Sequence, residues 1–187
     1  MKQRFEGLVA LSGTFRRTFD WRLTGKKQTL SGRMVLRKPD RFRFDSESQV
    51  LMADGITIWN YVRDNNQVVV NRYQPPEQDR SPEGLLFNLL FRSDYAGDYA
   101  LSGGGIKKLS GRTCLLAVLT ARSEKAYISS VRLWIRSDTW LPAGVEYADF
   151  NGDLTTYLLS DLKVHRDIPD STFRFAPPPG VEVVDLR

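Results

Sequence analysis

Side chains able to do acid–base, nucleophilic or metal chemistry are few and scattered in this chain. There is one histidine, His165, and one cysteine, Cys114. A nucleophilic triad needs a histidine between a hydroxyl and a carboxylate, and a catalytic metal needs several convergent ligands. His165, between Val164 and Arg166 in a polar stretch before Ile168-Pro169, is read as a surface residue in a loop. Cys114 cannot form an internal disulfide or a paired-cysteine metal site. It lies in the apolar run 113–119 and is read as a small buried hydrophobe. Gly103-Gly104-Gly105 lacks the helix and lysine that follow a phosphate-binding loop, so it reads as a flexible hairpin loop. Asp149 and Asp153 flank the turn signal Asn151-Gly152 and read as turn residues rather than an acid/base couple. The sequence thus assigns no catalytic residue, no metal ligand, no cofactor and no enzymatic activity.

The elements that would position any site are those of an ordinary globular chain. At 187 residues the expectation is one domain, 1–187, with a core that needs no disulfide or metal. A hydrophobic content of 41% with 26% charged residues excludes a disordered chain. The net charge of +5 would suit an anionic partner, but the basic residues are spread in ones and twos and alternate with apolar ones. That pattern is a solvated strand surface rather than a nucleic-acid stripe. No apolar run approaches the ~20 residues of a membrane-spanning helix. Residues 1–6 lack the apolar segment of a signal peptide, so the expectation is either a cytoplasmic protein or one that begins after a removed signal.

Residues 2–11 carry Phe5, Leu8, Val9 and Leu11 at helical spacing, which predicts a short amphipathic helix ending near Ser12-Gly13. From Thr14 the period changes to two. Strands are predicted over 14–24, 30–36, 41–45, 50–53, 56–62 and 67–70, then from Leu101 onward over 113–120, 128–135, 144–150, 154–159 and 173–175. Asp54-Gly55, 63–66 and Asn151-Gly152 mark hairpin turns. About eleven strands at hairpin spacing predict an antiparallel sheet large enough to curl on itself.

One segment breaks the two-residue period. After the proline-rich stretch 74–84, Ser81 is a candidate N-cap, with Pro82 at the first helical position. The body, Leu85-Leu86-Phe87-Asn88-Leu89-Leu90-Phe91, is apolar nearly all round. Such a helix is either buried in a core or laid across an apolar opening, and the segment alone leaves both open.

Three stretches together resemble the periplasmic lipoprotein-carrier family, the LolA-type proteins that ferry lipoproteins between the two membranes of Gram-negative bacteria. They are Arg37-Lys38-Pro39-Asp40-Arg41-Phe42-Arg43-Phe44; Asp54-Gly55-Ile56-Thr57-Ile58-Trp59-Asn60-Tyr61 with the later Gln67-Val68; and Phe173-Arg174-Phe175-Ala176-Pro177-Pro178-Pro179-Gly180-Val181. In this order and spacing they make a resemblance that runs over residues 14–184. The resemblance implies a mainly β fold, a half-open curved antiparallel β-barrel with a helical lid over an apolar cavity. It implies a non-enzymatic periplasmic carrier that binds lipoprotein acyl chains, works as a monomer, receives cargo from an inner-membrane lipoprotein-releasing transporter and delivers it to an outer-membrane acceptor. A lipid- or lipoprotein-sensing domain, or an acceptor domain of the same fold, is the alternative. An acceptor needs a lipid-modified N-terminal cysteine, and the one cysteine here is Cys114.

Strand parity then nominates the residues that would line the acyl-chain cavity: Met34 and Leu36, Phe42 and Phe44, Trp59 and Tyr61, closed by Leu85, Leu86, Leu89, Leu90 and Phe91 of the lid. For Trp59 plain core packing is an equal reading, because Ile56 and Ile58 make the other face of that strand apolar too. The family carries arginine before the proline of the first motif, and that arginine is understood to latch the lid by hydrogen bonds to lid carbonyls. Here the position is Lys38, on the face of Met34 and Leu36, so the latch is expected to be looser. A second departure is that the C-terminal segment stops at Arg187 without the extra strand some members carry, so partner docking is expected to differ.

Overall fold

The computed structural model describes residues 7–74, 81–91 and 97–187. Among these residues twelve strands follow in the order β1 (Ala10–Asp20), β2 (Lys27–Arg37), β3 (Arg41–Ser46), β4 (Gln49–Asp54), β5 (Thr57–Val62), β6 (Gln67–Arg72), β7 (Tyr99–Leu109), β8 (Arg112–Ala121), β9 (Ile128–Arg136), β10 (Pro142–Asp149), β11 (Leu154–His165) and β12 (Glu182–Asp185). Among the described residues one α-helix, α1 (Pro82–Phe91), falls between β6 and β7, and a short 3-10 turn spans Asp170–Phe173. Hydrogen-bonded neighbours run β12-β6-β5-β4-β3-β2-β1-β11-β10-β9-β8-β7, so the fold is mainly β and built on one sheet. The described residues divide into two compact units, one of residues 15–30 and 97–160, the other of 7–14, 31–74, 81–91 and 161–187.

In the first unit, β7 to β11 form antiparallel ladders. Their register aligns Ala117, Leu133, Val145 and Tyr157 across four strands, with Leu119, Val131 and Tyr147 beside them. These side chains make one apolar face, and Phe15 packs on Tyr157 at 6.2 Å between ring centroids. Cys114 is buried in β8, and burial pushes its thiol pKa up. Gly103 to Gly105 form no loop: they lie inside β7, where the ladder shifts between Gly103 and Ile106. A bulge there uses the positive φ of Gly105, 72°.

In the second unit, β2 to β6 pair antiparallel in sequence order. Gly32 is required where β2 meets β3, because a Cβ there would stand 2.2 Å from the Asp45 carbonyl oxygen. β12 pairs parallel with β6, matching Val183 to Val68 and Val184 to Val69. No strand was expected here, because four residues, two of them acidic, carry too little periodicity.

Three further expectations are corrected. The helix predicted over 2–11 is not formed at its described end, where Ala10 and Leu11 already belong to β1; residues 1–6 lie outside the described residues. His165 is not in a loop but ends β11, with its Nε2 2.7 Å from the Ser12 Oγ. The strand predicted at 173–175 is absent: Phe173 closes the 3-10 turn and is wholly buried against Ala10 and Ile168. Pro177 to Pro179 have no N–H to give a ladder, so this stretch is held by its rings instead.

Candidate functional site

Helix α1 starts as its sequence requires. The Ser81 hydroxyl accepts the Gly84 N–H at 3.0 Å and the Ser81 carbonyl accepts the Leu85 N–H at 2.9 Å. Pro82 occupies the position where a missing N–H costs nothing. The helix buries Glu83, Leu86, Phe87, Leu90 and Phe91, a stripe at spacings of three and four. Leu85 and Leu89 fall beside that stripe and are half-buried, as is Asn88.

The stripe lies on one face of the β2–β5 sheet. Register places Met34 opposite Phe44 and Leu36 opposite Phe42, and carries the same face on to Leu51 and Ala53 in β4, then Asn60 and Ile58 in β5. Met34, Leu36, Phe42, Phe44, Leu51 and Ala53 are all buried. Phe42 is the hub: its ring stands 6.0 Å from Phe87 of the helix, 6.0 Å from Tyr73 and 5.8 Å from Phe44. Phe87, absent from the residues nominated by strand parity, was recoverable from its four-residue spacing to Glu83 and Phe91. Asn60 interrupts this apolar face, and its Oδ1 is buried with no hydrogen-bond partner among the described residues.

Trp59 and Tyr61 do not belong to this face. Their strand partners are Met52 and Val50, which point to the other side of the sheet. There Tyr61 joins Val50, Met52, Val68 and Val70 in a core that Trp59, Phe175 and Val181 cover, with the Tyr61 and Phe175 rings 5.6 Å apart. Parity within β5 was read correctly. What single-strand parity cannot supply is which face of β5 continues the face of β2, because the register across three hairpins decides it.

The same division separates Arg37 from Lys38. Arg37 donates to the Asp167 carboxylate at 3.2 Å, to the Ile168 carbonyl and to the Asp170 carboxylate, and its guanidinium stands 5.3 Å from the Phe173 ring centroid. The Arg37 hydrogen bond and charge hold the Asp170 carboxyl below its ordinary pKa. The Lys38 N–H donates to the Val9 carbonyl at 2.9 Å, and its Nζ lies 5.5 Å from the Phe91 ring centroid at the end of α1. Burial raises the pKa of Asp40, in the turn after Lys38, against the opposing charge of Arg41.

A pocket of about 730 Å³ lies beside the Gly55–Thr57 turn, with Arg72, Tyr73, Asp185 and Arg187 among its lining residues. Among the described residues no group of three or more His, Cys, Asp or Glu could hold a metal ion.

Among the described residues, one largely apolar helix, α1, lies against an apolar sheet face that only Asn60 interrupts from Leu51 to Val69. Residues 6–176 match the family described as outer membrane lipoprotein carrier protein LolA, and the chain belongs to that family. It is 27% identical to the outer-membrane lipoprotein carrier protein of Chromobacterium violaceum over 187 residues, covering 98% of this chain and 85% of that one. It is 32% identical to the protein of the same name from Xanthomonas oryzae pv. oryzae over 186 residues, covering 95% and 83%. An uncharacterised conserved protein of Thermus thermophilus shares the fold with a TM-score of 0.60 at 14% identity, over 98% of this chain and 96% of that one.

Proposed function

We propose that this chain is a non-enzymatic, monomeric periplasmic carrier, working as one domain, that holds the acyl chains of lipoproteins between α1 and the sheet face of Met34, Leu36, Phe42 and Phe44. It would take cargo from an inner-membrane lipoprotein-releasing transporter and pass it toward an outer-membrane acceptor. The observation that carries this reading is the packing of α1: Leu86 and Leu90 are fully buried and Phe87 lies on Phe42. One helix therefore fills the apolar space a ligand would use. The names of the relatives support the class of cargo.

Burying an acyl chain is worth about 0.8 kcal/mol per CH₂, so a long chain gains on the order of 10 kcal/mol gross. A carrier must release what it binds. If leaving ligand is replaced by Leu86, Phe87 and Leu90 rather than by water, the net affinity falls to a reversible range.

The test is titration with 1-anilinonaphthalene-8-sulfonate followed by competition with a diacylated lipopeptide. Saturable binding near one probe per chain, displaced by the lipopeptide and weakened by Leu90→Asp, is expected. A signal no larger than that of a globular control of similar size, or one the lipopeptide does not displace, refutes the proposal.

A further inference from the structure

Three turns of the first unit meet at one end of its strands. The turn between β1 and β2 is closed by Trp21 and Lys26, with the Trp21 N–H on the Lys26 carbonyl at 2.9 Å. It is fastened to the β10–β11 turn, because the Arg22 N–H donates to Asp153 at 2.9 Å and the Arg22 side chain lies across Gly152. The β8–β9 turn joins through Tyr127, whose ring stands 5.7 Å from Phe150.

The side chains projecting from this cluster are the wrong ones for solvent. Leu23 is 95% exposed and Phe150 is 63% exposed. Trp21 is half-buried, edge-on to Phe19 at 4.5 Å. A leucine at that exposure adds nothing to the core, and turn geometry does not ask for it, since Thr24-Gly25 already supplies the turn residues. Arg22, Lys26 and Lys125 are exposed around them. Of the nearby carboxylates, Asp149 accepts the Asn151 and Asp153 N–H groups, Asp153 accepts the Arg22 N–H, Asp20 pairs with Lys27 at 2.7 Å, and Glu124 is exposed beside Lys125.

We propose that this cluster of turns docks on a lipid bilayer, setting Leu23, Phe150 and the Trp21 edge into the interfacial layer while the surrounding cations meet lipid phosphates. Isolated aliphatic tips, amphipathic rings and long cations are what that layer accommodates. The features project from separate turns at strand ends rather than from one helix or strand that a protein segment could pair with. Because cations and carboxylates at this end nearly balance, insertion of the apolar groups carries the contact and the charges tune it. The inference is independent of acyl binding under α1, so either can fail without the other.

Flotation of the full chain with vesicles of phosphatidylethanolamine and phosphatidylglycerol tests it. The wild-type protein is expected to float with the vesicles. Leu23→Asp combined with Phe150→Asp should lower the partition coefficient about tenfold or more, and Leu23→Ser should lower it less. Leu101→Asp, on β7 at a residue 66% exposed outside the cluster, should float like the wild type. Lys26→Glu with Lys125→Glu should weaken binding only at low salt. Circular dichroism confirms that each variant is folded. Absence of wild-type flotation, or a double variant that floats as well as the wild type, overturns the proposal. It is overturned equally if the double variant abolishes a concentration-dependent dimer while vesicle binding is unchanged, for then the occupant is a second copy of the chain.

Discussion

Arg37 and Lys38 are neighbours in sequence whose side chains secure opposite faces of the same sheet: Arg37 clamps residues 167–170, and the Lys38 ammonium faces the Phe91 ring at 5.5 Å. A partly desolvated cation–π contact is worth about 0.5–2 kcal/mol. Lys38→Met should therefore speed amide hydrogen exchange in residues 82–91 by about 2- to 30-fold and leave 167–173 unchanged. Arg37→Met should do the reverse, speeding exchange in residues 167–173 and leaving 82–91 unchanged, by a modest margin because Asp167 and Asp170 are mostly exposed. Exchange measured by mass spectrometry on both variants separates the two. Identical exchange maps would rule out the division of faces.

Asn60 is the one polar residue that register sets between Leu51 and Val69 on the helix-covered face, and its Oδ1 is unpaired among the described residues. Asn60→Leu keeps the volume and removes a buried acceptor, which should stabilise the fold by about 1 kcal/mol. Thermal unfolding should shift upward by roughly 2–4 °C. A downward shift would show that the amide has a partner that matters to the fold.

The Asp170 carboxyl is depressed by its hydrogen bond and charge interaction with Arg37, and to a lesser degree by Arg41 and Arg174. A group whose folded pKa lies below its unfolded value of about 3.9 contributes stability above that value and loses it as pH falls through the folded pKa. The 167–173 segment should therefore loosen as pH drops below about 4, read as increased exchange or proteolysis there, and Arg37→Met should weaken that acid dependence. An unchanged pH profile in the variant would place the cause elsewhere.

The strand pattern was legible because alternation is local: β2 to β6 and β8 to β11 each carry it within a few residues. Helix α1 was legible for a similar reason, since Ser81-Pro82 and the apolar run announce it together. Trp59 and Tyr61 show where local reading ends. Their common face is plain in β5, yet assigning that face to the helix side requires counting pairings through β3 and β4. Phe173 and Phe175 misled in the opposite way, because aromatic alternation also suits a segment that packs by its rings. Gly103 to Gly105 carried a turn composition and proved to be a bulge in a long strand, a choice made by pairing with β8 rather than by the glycines.

β12 contributes almost no core, with three of its four residues exposed, yet it occupies the outer hydrogen-bonding edge of β6. Without it, Val68, Val69 and Val70 would present a bare β edge rich in branched side chains, a template on which other chains can polymerise. A short segment with acidic residues at both ends pairs in parallel and offers little to continue the ladder. Its contribution is to colloidal behaviour rather than to folding energy: shelf life at high concentration, not the unfolding midpoint, is where its removal would register first.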